Sequence, residues 1–166
     1  LLQKFAGVVP ESHVTEDLQA WELYNKAFSL SSLGHLQEAI VYYEKCLELE
    51  PRNSDAWNNK GVCLRKLGRL PEALGCYEKA VQSNRHNASA WTNKGNCLFT
   101  LGRFPEAIAS LNKAIDIDSR NESAWLSFSA CSRSINGITP VRPKLRRALT
   151  NASSSFLSSA ERLRSP

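Results

Sequence analysis

The sequence predicts an all-α fold of tandem helix-turn-helix hairpins, and three observations predict it. Ala56-Trp57-Asn58-Asn59-Lys60-Gly61 returns as Ala90-Trp91-Thr92-Asn93-Lys94-Gly95, 34 residues later. The same step links Leu33-Gly34, Leu67-Gly68 and Leu101-Gly102, and also Glu38-Ala39, Glu72-Ala73 and Glu106-Ala107. Helix-stop and helix-start residues then recur between these landmarks. A self-similar period of this length marks a supersecondary unit that buries its apolar side only by stacking on copies of itself.

Taken in order, residues 1–19 form an N-terminal flank. Leu1, Leu2, Phe5, Val8 and Val9 precede Pro10, which suits a short cap on the first unit or the remnant of a neighbouring domain. The chain starts at Leu1 and not at methionine, so a piece of a longer protein is expected. The units run 20–53, 54–87 and 88–121, and Trp125 extends the register into a partial unit at 122–133. Asn53, Asn87 and Asn121 sit where a side-chain oxygen caps a first helix. Gly34, Gly68 and Gly102 stop that helix with a left-handed residue. Pro71 and Pro105 open the second helix, where a missing N–H costs nothing.

The tail, 134–166, begins as a loop around Asn136-Gly137 and Pro140. After Pro143 the stripe Leu145, Ala148, Leu149, Ala152, Phe156, Ala160 and Leu163 predicts a C-terminal amphipathic helix. A cap on the last repeat is the first reading. A basic helix on an anionic membrane and a disordered Ser-rich tail are the others.

These landmarks resemble the tetratricopeptide repeat family over residues 20–133. Trp, Gly four residues on, a mid-unit Gly, and the spaced Ala73, Tyr77 and Ala80 carry the likeness, with Pro51 near a unit end. Leu23 and Ala27 depart from Trp and Gly in unit one, Arg85 and Ser119 from Pro51, and Leu111 from the usual aromatic. The resemblance implies an α-solenoid coiled as a right-handed superhelix, with a concave groove that receives extended peptides or helices.

Composition narrows the function classes. The net charge of +5 divides into −2 over residues 1–19, +2 over 20–133 and +5 over 134–166, so the basicity lies in the tail. Nucleic acid or an anionic membrane is therefore a minor partner class, reached only through that tail. Five cysteines without a Cys-x-x-Cys pair point to a reducing, cytoplasmic setting. Cys63, Cys97 and Cys131 keep the 34-residue step. Equivalent positions on stacked helices stand ~10 Å apart, too far to share one metal. They read as small packing residues. Of the three Asn-x-Ser sequons, those at Asn87 and Asn121 are explained as helix caps; the third is at Asn151. His13, His35 and His86 are scattered, and no Gly-rich phosphate loop or His-Glu-x-x-His occurs. No catalytic residue, metal or cofactor is expected.

The surface that remains is the side of the first helices opposite Trp57, Gly61 and Leu64. At ~100° per residue it carries Asp55, Asn58, Asn59, Val62 and Lys66 in unit two. Unit three puts Ser89, Thr92, Asn93, Asn96 and Thr100 there, and unit one puts Trp21, Tyr24, Asn25, Phe28 and Ser32. Asn25, Asn59 and Asn93 keep the repeat step, and an amide both donates to and accepts from a peptide backbone. The row is similar to the asparagine ladder of O-linked N-acetylglucosamine transferases; bridging between helices is the competing reading. Trp21, Tyr24 and Phe28 add an apolar anchor, unless residues 1–19 cover it. The positions matching the carboxylate clamp for heat-shock chaperones hold Tyr24, Phe28, Asn59, Ser89 and Asn93 without a cation, so that clamp is not expected.

The sequence thus predicts a non-catalytic scaffold that binds a peptide segment or partner helix through Asn25, Asn59, Asn93, Asn58, Asn96, Lys66, Trp21, Tyr24 and Phe28. The alternative is the recruiting domain of a larger enzyme whose catalytic part lies outside this sequence.

Overall fold

The computed structural model describes residues 11–134. Among them are seven helices: α1 (Glu11–Ser32), α2 (Leu36–Leu49), α3 (Ser54–Lys66), α4 (Leu70–Ser83), α5 (Ala88–Thr100), α6 (Phe104–Ile117) and α7 (Glu122–Ser134). The expected C-terminal amphipathic helix lies outside the described residues. α1 packs on α2, α3 on α4, and α5 on α6, and α2 then packs on α3 and α4 on α5. Among these six helices the first helices also touch in succession, α1 to α3 to α5, whereas α2, α4 and α6 do not meet. The first helices therefore line the tighter side of the stack.

The punctuation acts through the backbone. Asn53, Asn87 and Asn121 accept from the N–H of Ala56, Ala90 and Ala124 at 2.9, 2.9 and 3.0 Å. Gly34, Gly68 and Gly102 take φ of 88°, 78° and 74°, a region that costs a Cβ-bearing residue energy. Pro71 and Pro105 fall in the first turns of α4 and α6. Just ahead of them, Arg69 and Arg103 grip Glu72 and Glu106 through paired hydrogen bonds. These pairs are exposed and contribute little to stability.

The recurring tryptophans fasten the links between units. The indole N–H of Trp57, Trp91 and Trp125 donates to the carbonyl of Pro51, Arg85 and Ser119, six residues earlier, at 2.9, 3.0 and 2.9 Å. The acceptor is a main-chain carbonyl, so losing proline at positions 85 and 119 costs the contact nothing. Unit one has Leu23 for this Trp and Gln19 for the cap Asn. With neither device to form a loop there, α1 runs straight through the expected boundary at residue 20 and starts at Glu11.

The core repeats with the sequence. Ala39, Ala73 and Ala107 are fully buried, as are Tyr43, Tyr77 and Leu111, and Cys63, Cys97 and Cys131. Leu111 thus occupies the aromatic site without leaving it open. Facing it, the first helix must be bare. A Cβ on Gly61 would stand 2.7 Å from the Tyr77 ring, and one on Gly95 would stand 2.6 Å from Leu111 Cγ. Trp57 and Trp91 are only half-buried; they pack at the edge of the cluster of Ala80, Val81 and Ala90.

Gly61→Ala should therefore destabilise the fold by ~1–3 kcal/mol, the usual result of overpacking. Gly75→Ala, with open space around its Cβ, should instead stabilise α4 by ~0.5–1 kcal/mol through helix propensity. Urea melts of the two variants check both signs.

Candidate functional site

The inner row of first helices carries every residue singled out for binding. On α1, Trp21 and Phe28 are 63% and 54% exposed, and Leu18 is 56% exposed. They stand at positions 18, 21 and 28, with Asn25 between, so successive turns bring them onto one seam. Trp21 and Phe28 lie two turns apart, ~10 Å along the axis. Tyr24 behaves differently. It is half-buried, its ring meets Tyr43 edge-on with centroids 5.9 Å apart, and its hydroxyl accepts from Asn59. It is more a support for the seam than a free contact.

Asn59 and Asn93 are engaged between helices. Asn59 Nδ2 donates to the Tyr24 hydroxyl at 2.9 Å, and Asn93 Nδ2 donates to Asn58 Oδ1 at 2.9 Å. Asn58 is itself 8% exposed, and its amide leans to Asn59 Oδ1 at 3.4 Å. The three amides thus join α1 to α3 and α3 to α5. Asn25 opens the row with a half-buried side chain. Asn96 is half-buried, its carbonyl taking the Thr100 hydroxyl at 3.0 Å. Lys66 is exposed near the end of α3.

A second set of amides was missed as a bridge. The cap residues do two jobs. Asn87 Nδ2 donates to Ser54 Oγ at 2.9 Å and to Asp55 Oδ1 at 3.0 Å, while Ser54 donates to the Ala80 carbonyl at 3.0 Å. Asn121 Nδ2 reaches Thr92 Oγ1 at 3.1 Å. The nitrogen that would carry a glycan at Asn87 and at Asn121 is thus spent on holding consecutive units together. That of Asn87 also engages Asp55, while Arg65 and Lys66 are exposed near the end of α3. The serine or threonine one unit back was the signal that could have shown this pairing.

On the outer side, Lys60 and Lys94 pair with Glu44 and Glu78 at 2.8 and 3.4 Å while standing over Trp57 and Trp91. Lys26 stands 4.4 Å over Tyr42. These long stems cover apolar rings, as their position at the edge of the packing face implied.

The five cysteines are buried and unbridged. Among the described residues no group of His, Cys, Asp and Glu is arranged to hold a metal. Burial, helped by Glu50, pushes the Cys46 thiol up to about 11. Burial also raises Tyr77 to about 12; Arg65 opposes this without reaching hydrogen-bond geometry.

Seen against known proteins, the tetratricopeptide repeat family matches the chain at residues 20–53, 42–75 and 64–122. The chain belongs to that family. No curated protein matches it. Among solved structures, the first such domain of Spaghetti (RPAP3), bound to the HSP90 peptide SRMEEVD, is 23% identical with a TM-score of 0.70. The match covers 72% of this chain and 94% of that one. The Arabidopsis OM64 domain is 18% identical with a TM-score of 0.70, over 72% of this chain and 98% of that one. At these identities the likeness is one of fold.

Two measurements follow. Asn59→Ala and Asn93→Ala should each lose ~0.5–1.5 kcal/mol in denaturant melts, the net worth of one hydrogen bond, while Asn25→Ala should change little. Alkali should also destabilise the array. Cys46 and Tyr77 stay protonated in the fold above their ordinary values of 9.0 and 10.0, where the unfolded chain has released its protons. The melting temperature should hold up to about pH 9 and fall as pH rises toward 11–12.

Proposed function

We propose that this chain is a non-catalytic adaptor module of a reducing, cytoplasmic compartment, holding a partner segment along the inner face of α1, α3 and α5. The observation that carries the reading is the pair Trp21 and Phe28, two large side chains exposed on one seam of α1. Large apolar groups gathered on one seam, rather than scattered singly, mark a surface that suits a partner. The rest of the row presents amides and hydroxyls, with Lys66 as its main charge. That combination suits an uncharged, extended segment whose large apolar side chains seat on α1 and whose backbone meets the polar row.

The HSP90 peptide held by the Spaghetti domain supports a peptide as the kind of ligand, and does not carry over as the identity. The positions corresponding to a carboxylate clamp here are Tyr24, Phe28, Asn59, Ser89 and Asn93, none of them cationic. Asn59, the one residue of suitable type, already donates to Tyr24. Asn25 and the second N–H of Asn93 are the amides best placed to meet a ligand.

Selection of random displayed peptides against the array tests this directly. The enriched peptides should carry large apolar residues, and the exposed-site double variant Trp21→Ser/Phe28→Ser should bind them at least tenfold more weakly with its helical circular dichroism intact. Enriched peptides that bind this variant as well as the parent would move the ligand site elsewhere.

A further inference from the structure

The outer side of the array holds two grooves at equivalent positions of the repeat, and the structure makes them different. Each has a half-buried tryptophan as its floor, Trp57 in one and Trp91 in the other. In the first, Lys79 lies 4.2 Å over the Trp57 ring and Lys60 5.4 Å from it. Two separate clefts of about 440 and 350 Å³ result, each lined by both Trp57 and Lys79. One repeat later the groove between α4 and α6 is a single cleft of about 940 Å³. Lys94 stands at 5.7 Å from Trp91, and Lys113, the counterpart of Lys79, lines the cleft without stacking on that ring. The ring face that Lys79 fills in one unit is open in the next.

The walls say what would enter. Trp91, Val81 and Ile117 give the floor apolar area. Lys94 is taken by Glu78 at 3.4 Å. Arg85 and Lys113 are exposed and, among the described residues, pair with no carboxylate, and His86 lies beside them. Against them stands Asp116. We infer that this outer cleft is a second binding site, taking an acidic peptide segment with an aromatic side chain: the ring packs on Trp91 and flanking carboxylates meet Arg85 and Lys113. Asp116 and Glu78 favour a peptide over a nucleic acid. A peptide brings backbone N–H donors to those oxygens, whereas a phosphodiester brings only further negative charge. The site is separate from the inner face and stands or falls independently of it.

The probe is an acetylated, amidated Glu-Glu-Tyr-Glu-Glu peptide, titrated into the full chain with tryptophan fluorescence and chemical shifts as readouts. Saturable binding is expected, weakening with added salt. Arg85→Glu/Lys113→Glu should reduce affinity at least tenfold with an unchanged melting curve, because both side chains are exposed. Replacing the tyrosine of the probe by glycine should reduce it similarly. Trp21→Ser/Phe28→Ser should leave it unchanged, which separates this site from the inner face. Absence of binding to the parent, full binding by the charge-reversed variant, or tighter binding of an oligothymidine through the same residues would each overturn the inference.

Discussion

The second and third hairpins each depend on a side chain driven against bare backbone. Tyr77 fills the space over Gly61, and Leu111 fills that over Gly95, at distances that leave no room for a methyl group. Ala73 and Ala107 of the same hairpins are fully buried. Dispersion attraction falls steeply with a gap of even 1 Å, so, whereas Gly34, Gly68 and Gly102 serve the turns, these mid-helix glycines serve the packing. Unit one has Ala27 at this position, buried beneath the same layer that holds Tyr43. Its hairpin gains its own support from the Tyr24 ring edge-on to Tyr43.

Hairpins are joined to one another by apolar packing, as of Ala80 and Val81 on Ala90, and by a set of polar bridges. Ser54, Asn87 and the Ala80 carbonyl form a relay from one unit to the next, while the oxygen of the same Asn87 caps α5. A cap worth ~1 kcal/mol alone therefore also fixes the distance between units. The tryptophan indoles add a second fastening at the loop carbonyls. Such neighbour-to-neighbour links are the physical form of a quasi-one-dimensional array.

The fold was legible because its signals are local. Caps, left-handed glycines and first-turn prolines act through their own backbone, and small buried cysteines through volume alone. The site was legible in part. The face assignment puts Trp21 and Phe28 on an exposed seam, but the 34-residue step treats Asn25, Asn59 and Asn93 as one row. The observed hydrogen bonds run between residues 35 apart, Asn59 to Tyr24 and Asn93 to Asn58. That extra residue is set by the offset between packed helices, which no single-chain periodicity contains. The same limit hid the pairing of Asn87 with Ser54 and Asp55. α1 begins at Glu11, ahead of the repeat step, because the Asn and Trp that open the later units are Gln19 and Leu23 in the first.

Periodic positions build this molecule, and the departures from periodicity give it chemistry. Where Asp55 and Val62 stand in unit two, unit one has Trp21 and Phe28, turning a polar strip apolar at one end. Where unit two has Gln82, unit three has Asp116, and beside it Lys113 leaves its tryptophan uncovered where Lys79 does not. A solenoid can absorb such changes because each residue answers only to its neighbours. A substitution at an exposed position that makes no contact between units leaves the Gly–Tyr contact and the asparagine relay intact. Exposed positions such as Trp21, Phe28 and Lys113 can therefore vary from unit to unit while the contacts that hold the units together stay in place.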